Sequence, residues 1–247
     1  MRILLINPNT STFVTEKVAA EARRVAAPGT EIVPVTGRLG AAIVSGRSED
    51  ALAATEAMCL AAEYGGDCDA VILAISFDSG LRPLREMLSI PVVGMSEAAM
   101  LAACTLGGKF AMVTFGNRAA PIYAELCHGY GLSGRLSNVV SLAPLTDAEM
   151  RDPLLILPRL VEAIDRTVCE DRTEAAILAG AIFAGITDDV AERVNIPMLN
   201  GVAEAVGIAE MLARVRPRKA KCGSYQLPAA KKIEWPNSAL VSRFKTF

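Results

Sequence analysis

Histidine is almost absent from this chain of 247 residues: His128 is the only one, and it lies in the helix-like Ala124-Glu125-Leu126-Cys127-His128-Gly129-Tyr130, away from any expected strand end. A Ser-His-Asp triad is therefore disfavoured. Six cysteines are present (Cys59, Cys68, Cys104, Cys127, Cys169, Cys222), but no Cys-x-x-Cys pair occurs, so neither a zinc site nor a disulfide framework is indicated. They read as apolar fillers of a cytoplasmic protein whose thiols stay reduced. No apolar run approaches the ~20 residues that span a bilayer, and Met1-Arg2-Ile3-Leu4-Leu5-Ile6-Asn7-Pro8 lacks the apolar length and cleavage site of a signal peptide. No Gly-x-Gly-x-x-Gly follows the first apolar run and no Gly-x-x-x-x-Gly-Lys-Ser/Thr occurs, which leaves nucleotide binding unsupported. Charge imbalance is also lacking: the net charge is -2 and the one basic cluster is Arg216-Pro217-Arg218-Lys219-Ala220-Lys221, too little to attract nucleic acid or a membrane surface. The partner left by these exclusions is a small molecule, with no metal expected.

Apolar residues, by contrast, make up 52% of the chain, enough to bury a sizeable core in one large domain or two lobes. Short apolar runs near 3–6, 31–35, 70–75, 91–93, 110–114, 137–142, 175–179 and 197–199 are mostly followed by segments of helical spacing near 11–26, 49–64, 81–88, 96–105, 119–130, 153–170, 187–194 and 201–213. That alternation predicts an α/β fold of parallel strands covered on both faces.

The chain also repeats itself. Val71-Ile72-Leu73-Ala74 returns as Ala176-Ile177-Leu178-Ala179 at an offset of 105 (176 minus 71), and Ile90-Pro91 returns as Ile196-Pro197. Gly94 and Glu97-Ala98 then match Gly201 and Glu204-Ala205. Two similar lobes related by a pseudo-twofold axis follow, assigned to residues 1–95 plus 207–247 and to 96–206. Ligands of open parallel sheets sit beyond the carboxyl ends of the strands, so the loops after Ala74 and Ala179 would enclose one interlobe site. From Arg216 onward Pro217, Gly223, Pro228 and Pro236 break any helical period, which predicts a loose tail, or one packed only on a neighbouring subunit of a homo-oligomer.

The loops supply candidates. Asn7, Asn9 and Thr10, in Asn7-Pro8-Asn9-Thr10-Ser11, follow the first strand and precede a helix, where side chains can cap it and backbone N–H groups can face an anionic oxygen. Glu97, just after the Gly94 turn, would orient a ligand or favour its helix N-terminus. Thr114, at a strand end, offers a hydroxyl and an N–H to a carboxylate; Asn117 and Arg118 follow, Arg118 being the nearest cation for an acidic substrate.

Arg2-Ile3-Leu4-Leu5-Ile6-Asn7-Pro8-Asn9-Thr10-Ser11, Ile90-Pro91-Val92-Val93-Gly94 with Glu97-Ala98-Ala99-Met100, and Met112-Val113-Thr114 resemble the Asp/Glu/hydantoin racemase superfamily, especially its hydantoin and allantoin racemase branch. The resemblance runs to about Ala213. It implies two similar α/β lobes, an active site in the cleft, no cofactor, and two cysteines, one per lobe, that take and return a proton on opposite faces of one carbon. Here both are missing. In the first lobe the family's cysteine falls at Ile75 when counted back from Asp78, while the internal repeat leaves Ser76 open; in the second, Gly180-Ala181-Ile182-Phe183 puts Ala181 in its place. Rescue would need Cys104 or Cys127 to reach the cleft from a helix.

With a hydroxyl and a carboxylate in place of a thiol, the expected function is cofactor-free hydrolysis of a hydantoin-like or thiohydantoin-like ring derived from an amino acid. Asp78 would be general base and Ser76 a hydrogen-bond donor or nucleophile, with Glu97 in support. The same Ser76 and Asp78 would equally serve as caps for the helix starting near Leu81. A racemase or isomerase acting at the α-carbon is the alternative; a decarboxylase resembling arylmalonate decarboxylases and a purely ligand-binding protein are further ones.

Overall fold

A computed structural model describes residues 1–245. Two four-stranded parallel sheets form it. The first contains β1 (Arg2–Asn7), β2 (Glu31–Thr36), β3 (Ala70–Leu73) and β4 (Val92–Gly94) in the order β2-β1-β3-β4. The second contains β5 (Phe110–Phe115), β6 (Leu136–Leu142), β7 (Ala175–Leu178) and β8 (Met198–Leu199) in the order β6-β5-β7-β8. The two orders are the same once each strand is matched to its counterpart, and β3 and β7 start 105 residues apart (175 minus 70). The sequence repeat is therefore a structural one.

Strand β1 shows why these runs become buried strands. Ile3, Leu4, Leu5 and Ile6 are all fully buried, because successive side chains leave opposite faces of the sheet and each face is covered. Leu4 and Ile6 join Ala57 and Leu60 of α2 (Arg47–Tyr64) and Leu84 of α3 (Leu81–Met87). Ile3 and Leu5 join Val18 and Ala22 of α1 (Thr12–Val25) and Val202 and Ala205 of α9 (Val202–Val215). In the second lobe Phe110 and Met112 pack with α4 (Met95–Leu106) and α5 (Ala119–Gly129), while Val113 packs with Leu160 and Ile164 of α7 (Leu157–Asp171). Between β6 and α7 lie α6 (Asp147–Arg151) and a 3-10 turn over Pro153–Ile156; a second 3-10 turn, Ala181–Phe183, and α8 (Thr187–Ala191) follow β7.

The lobes meet through α4 and α9. Ala98 of α4 belongs to the first core and Ala99, Met100 and Ala103 to the second, so this helix serves both lobes. The 206/207 boundary falls inside α9, whose buried apolar residues from Val202 to Ala213 all lie in the first core. At Gly201, with φ of +88°, a Cβ would sit 2.4 Å from the Met95 carbonyl oxygen; the N-termini of α4 and α9 abut there, and only glycine permits it.

The tail departs from expectation. It is anchored on its own first lobe: Asn237 donates to Glu63 at 2.6 Å, and α10 (Ser238–Ser242) lies on α2 with Leu240 only 5% exposed. Proline blocks a regular helix up to residue 237, but a short capped helix with one buried leucine suffices as an anchor. Leu240→Ala should lower the free energy of unfolding by about 2–3 kcal/mol, read from urea denaturation; no change would mean that the tail is detached in solution.

Among the described residues no helix is long and apolar enough to cross a membrane.

Candidate active site

Three segments converge between the lobes on the phenol of Tyr123, a side chain of α5. Its hydroxyl lies 2.6 Å from the Ser76 hydroxyl, in the loop after β3, and 3.2 Å from the Ala179 carbonyl oxygen, at the end of β7. The Thr114 side chain, at the end of β5, lies beside the same phenol. Both loops singled out by the sequence repeat are thus joined by one hydrogen-bonded cluster. The Phe77 ring meets the edge of Tyr123 at 5.1 Å between centroids and 68° between planes. Burial pushes the Tyr123 phenol up to about 12, so it stays neutral at physiological pH and keeps a proton to donate.

Asp78 stands two residues from Ser76 but is occupied elsewhere. Its carboxylate accepts from the N–H of Ser96 at 3.0 Å, the N–H of Glu97 at 2.8 Å and the Tyr130 hydroxyl at 2.7 Å. It therefore caps α4, not the helix after Leu81; that helix, α3, begins at Gly80 without a side-chain cap, and Ser79 instead donates to Asp50. Burial pushes the Asp78 carboxyl up to about 7, while Tyr130 and the two N–H groups pull it down. Asp78 takes φ of +51° to reach α4, a conformation that Asp tolerates better than most residues.

Glu97 contributes its N–H to Asp78, but its side chain is held by both guanidinium nitrogens of Arg85, one at 2.9 Å. It faces a separate cavity of about 630 Å³ lined by Arg82, Arg85, Tyr130 and Tyr225. Ser76 and Glu97 are thus linked only indirectly, through Asp78 and through the Ser96 hydroxyl, which donates to the Ser76 carbonyl at 2.5 Å, not brought side by side.

The Asn-Pro-Asn-Thr loop is built inward. The Asn7 amide donates to Asn9 Oδ1 at 2.9 Å and Thr15 Oγ1 at 2.9 Å, while the N–H groups of Asn9, Thr10 and Ser11 are taken by Asn7, Ala41 and Asn9. The expectation that these N–H groups face an anion is corrected on that ground: the two Asn side chains take those of Asn9 and Ser11 in forming the turn, and the Ala41 carbonyl takes that of Thr10. Thr114 is buried beside Tyr123. Asn117 and Arg118 are exposed. The Arg118 guanidinium leans across to the first lobe, where a Cβ on Gly46 would meet it at 2.5 Å. Arg47 and Glu125 bridge the lobes nearby through two 2.6 Å bonds. Ala181 is half-buried against the first core together with Ala184, two residues beyond the carbonyl that meets Tyr123.

Neither spare thiol offers a substitute. Cys127 is fully buried in the second core, its thiol pushed up to about 11 by burial, and Cys104 packs on the same core. Among the described residues no group of three or more His, Cys, Asp or Glu side chains could hold a metal ion.

Residues 3–209 match the family model described as Asp/Glu/Hydantoin racemase. The chain belongs to this family. It is 31% identical to a hydantoin racemase of Paenarthrobacter aurescens over 94% of its own length and 99% of that protein. Among solved structures, an allantoin racemase from Pseudomonas fluorescens superposes with a TM-score of 0.90 at 35% identity, covering 95% of this chain and 100% of the other. An allantoin racemase from Klebsiella pneumoniae does so with 0.90 at 30% identity, over 97% and 98%. The two-lobed fold expected from the repeat is that of the family. The hydrolase expectation is overturned: relatives alike from end to end are named as racemases. The missing thiols point away from proton transfer only on the premise that this chemistry needs them.

Tyr123 and Tyr130 are not singled out by the sequence. Tyr123 sits at helical spacing between Ala119 and Cys127, both buried, and looks like core. The available signal was that a buried tyrosine hydroxyl needs a partner.

Proposed function

We propose that the protein is a racemase-type isomerase acting at the acidic carbon of a small hydantoin-like cyclic amide. What carries the reading is the likeness over nearly the whole length to proteins named hydantoin and allantoin racemases; the hydroxyl cluster between the lobes supplies a means. Water or hydroxide from solvent takes the ring's α-proton, and the electron pair of the broken C–H bond places negative charge on the neighbouring carbonyl oxygen. A fixed donor aimed at that oxygen lowers the barrier, and Ser76 is the side chain of the first-lobe loop that joins the interlobe cluster, Asp78 capping α4 and Ser79 being held by Asp50. The resulting carbon is planar and has lost its handedness. A proton exchanged with solvent returns to either face, so the reaction proceeds without a thiol pair. Asp78 acts here as a positioning residue, fixing the Ser76 loop to α4. The six unpaired cysteines support a reducing, cytoplasmic setting.

The test is proton NMR in deuterated water with single enantiomers of hydantoin-propionate and allantoin. The expected result is loss of the α-proton signal in step with loss of optical rotation, the ring remaining intact. Exchange no faster than in enzyme-free buffer, with or without binding, would overturn the reading, and so would ring opening.

A further inference from the structure

We propose that Tyr123 is a positioning residue that donates its hydrogen bond to Ser76 Oγ and so turns the Ser76 hydroxyl outward as the donor to the substrate oxygen. The proposal rests on the proposed function above and names a residue that reading does not require. The Tyr123 proton has two acceptors within reach, Ser76 Oγ at 2.6 Å and the Ala179 carbonyl at 3.2 Å. If it goes to Ala179, Tyr123 is left to accept and the Ser76 proton is held on the phenol. If it goes to Ser76, the Ser76 hydroxyl is free to donate to a third oxygen, and the phenol oxygen is open to a hydrogen bond from Thr114 beside it. An enolate oxygen beside Ser76 selects the second arrangement, because each donor in a chain ending on a charge strengthens the next. Only hydrogen bonds reorient; no covalent bond changes.

The placement also couples the lobes. Ser76 belongs to the first-lobe loop, while Tyr123, Thr114 and Ala179 belong to the second lobe. The donor chain is complete only with both in register, a reason for an enzyme that has dispensed with a residue from each lobe at the reacting carbon to retain an interlobe site.

A double-mutant cycle tests this in the full-length protein. Tyr123→Phe keeps the ring that packs on Phe77 and removes the phenol oxygen alone. It should lower kcat for α-proton exchange by about 10- to 100-fold, the size of one hydrogen bond to a charged group, with KM within about twofold. In a Ser76→Ala background the same change should have no further effect on kcat, since the residue acts through Ser76. A full additive loss would overturn the proposal, because a structural defect adds to any other. A second readout needs no turnover: the Tyr123 hydroxyl proton should give a slowly exchanging downfield NMR signal, absent in Tyr123→Phe and displaced in Ser76→Ala. A signal indifferent to Ser76→Ala would also overturn it. Absence of exchange in the wild-type protein would instead sink the proposed function, and the NMR signal alone would then decide whether Tyr123 is coupled to Ser76.

Discussion

Ser76→Ala should lower the rate of α-proton exchange about 100- to 1000-fold, the loss measured when a single oxyanion donor is removed, while the protein stays folded. The fold tolerates the change because Ser76 is half-buried and Tyr123 keeps the Ala179 carbonyl as an acceptor, so no buried hydroxyl is left without a partner. Ser76→Cys separates two mechanisms. A thiol is a weak hydrogen-bond donor but a far better acid and base than an alcohol. If Ser76 works by donating to a developing oxyanion, the cysteine variant stays within about tenfold of Ser76→Ala. A rate at or above the wild-type value would mean that the first lobe works by proton transfer through this side chain. Initial rates by NMR, with urea denaturation of each variant as the check on folding, decide the matter.

The architecture is legible in the sequence because it rests on patterns repeated twice. Uninterrupted runs such as Ile3-Leu4-Leu5-Ile6 and Val71-Ile72-Leu73 are what strands buried on both faces require, and the recurrence of strand, Ile-Pro and Gly-x-x-Glu-Ala marks the duplication. Side-chain direction in the loops is not legible. Asp78 and Ser76 look like a pair because they are two residues apart, but the positive φ at Asp78 turns its carboxylate onto a helix starting seventeen positions later (95 minus 78). Asn7, Asn9 and Thr10 are legible as a turn with polar groups to offer; the turn itself uses them. The chemistry is hidden for a different reason. That no cysteine stands at Ile75, Ser76 or Ala181 does not decide the reaction, since enolate formation needs a donor that any well-placed hydroxyl can supply.

Gly94→Ala should cost about 3–5 kcal/mol, since it combines overpacking with loss of buried hydrogen bonds. Gly94 has φ of -84°, so backbone strain is not the issue. A Cβ there would lie 2.4 Å from Asp78 Cγ and 2.6 Å from each carboxylate oxygen, and the carboxylate is fixed by three donors, so it can retreat only by releasing α4. The carboxyl that fills this space also sets a pH dependence. Its pKa is raised from 3.8 to about 7 in the folded protein, so the native state retains a proton that the unfolded chain gives up. The stability this contributes is complete below about pH 4 and is lost as pH rises through about 7, up to an amount on the order of 4 kcal/mol. Glu21, Glu63 and Glu149, whose pKa values are lowered mainly by hydrogen bonds, act in the opposite sense, their contributions being lost as pH falls below the ordinary carboxylate range. The Asp78 contribution therefore emerges in comparison with Asp78→Asn, which cannot titrate and sets an amide NH₂ against N–H donors. The variant should be less stable than wild type, by a margin widest at and below about pH 4 that narrows as pH rises toward 7 and is level above it. A margin that widens with pH in urea denaturation would show that Asp78 holds α4 as a carboxylate, with the helix N-terminus and Tyr130 outweighing its burial.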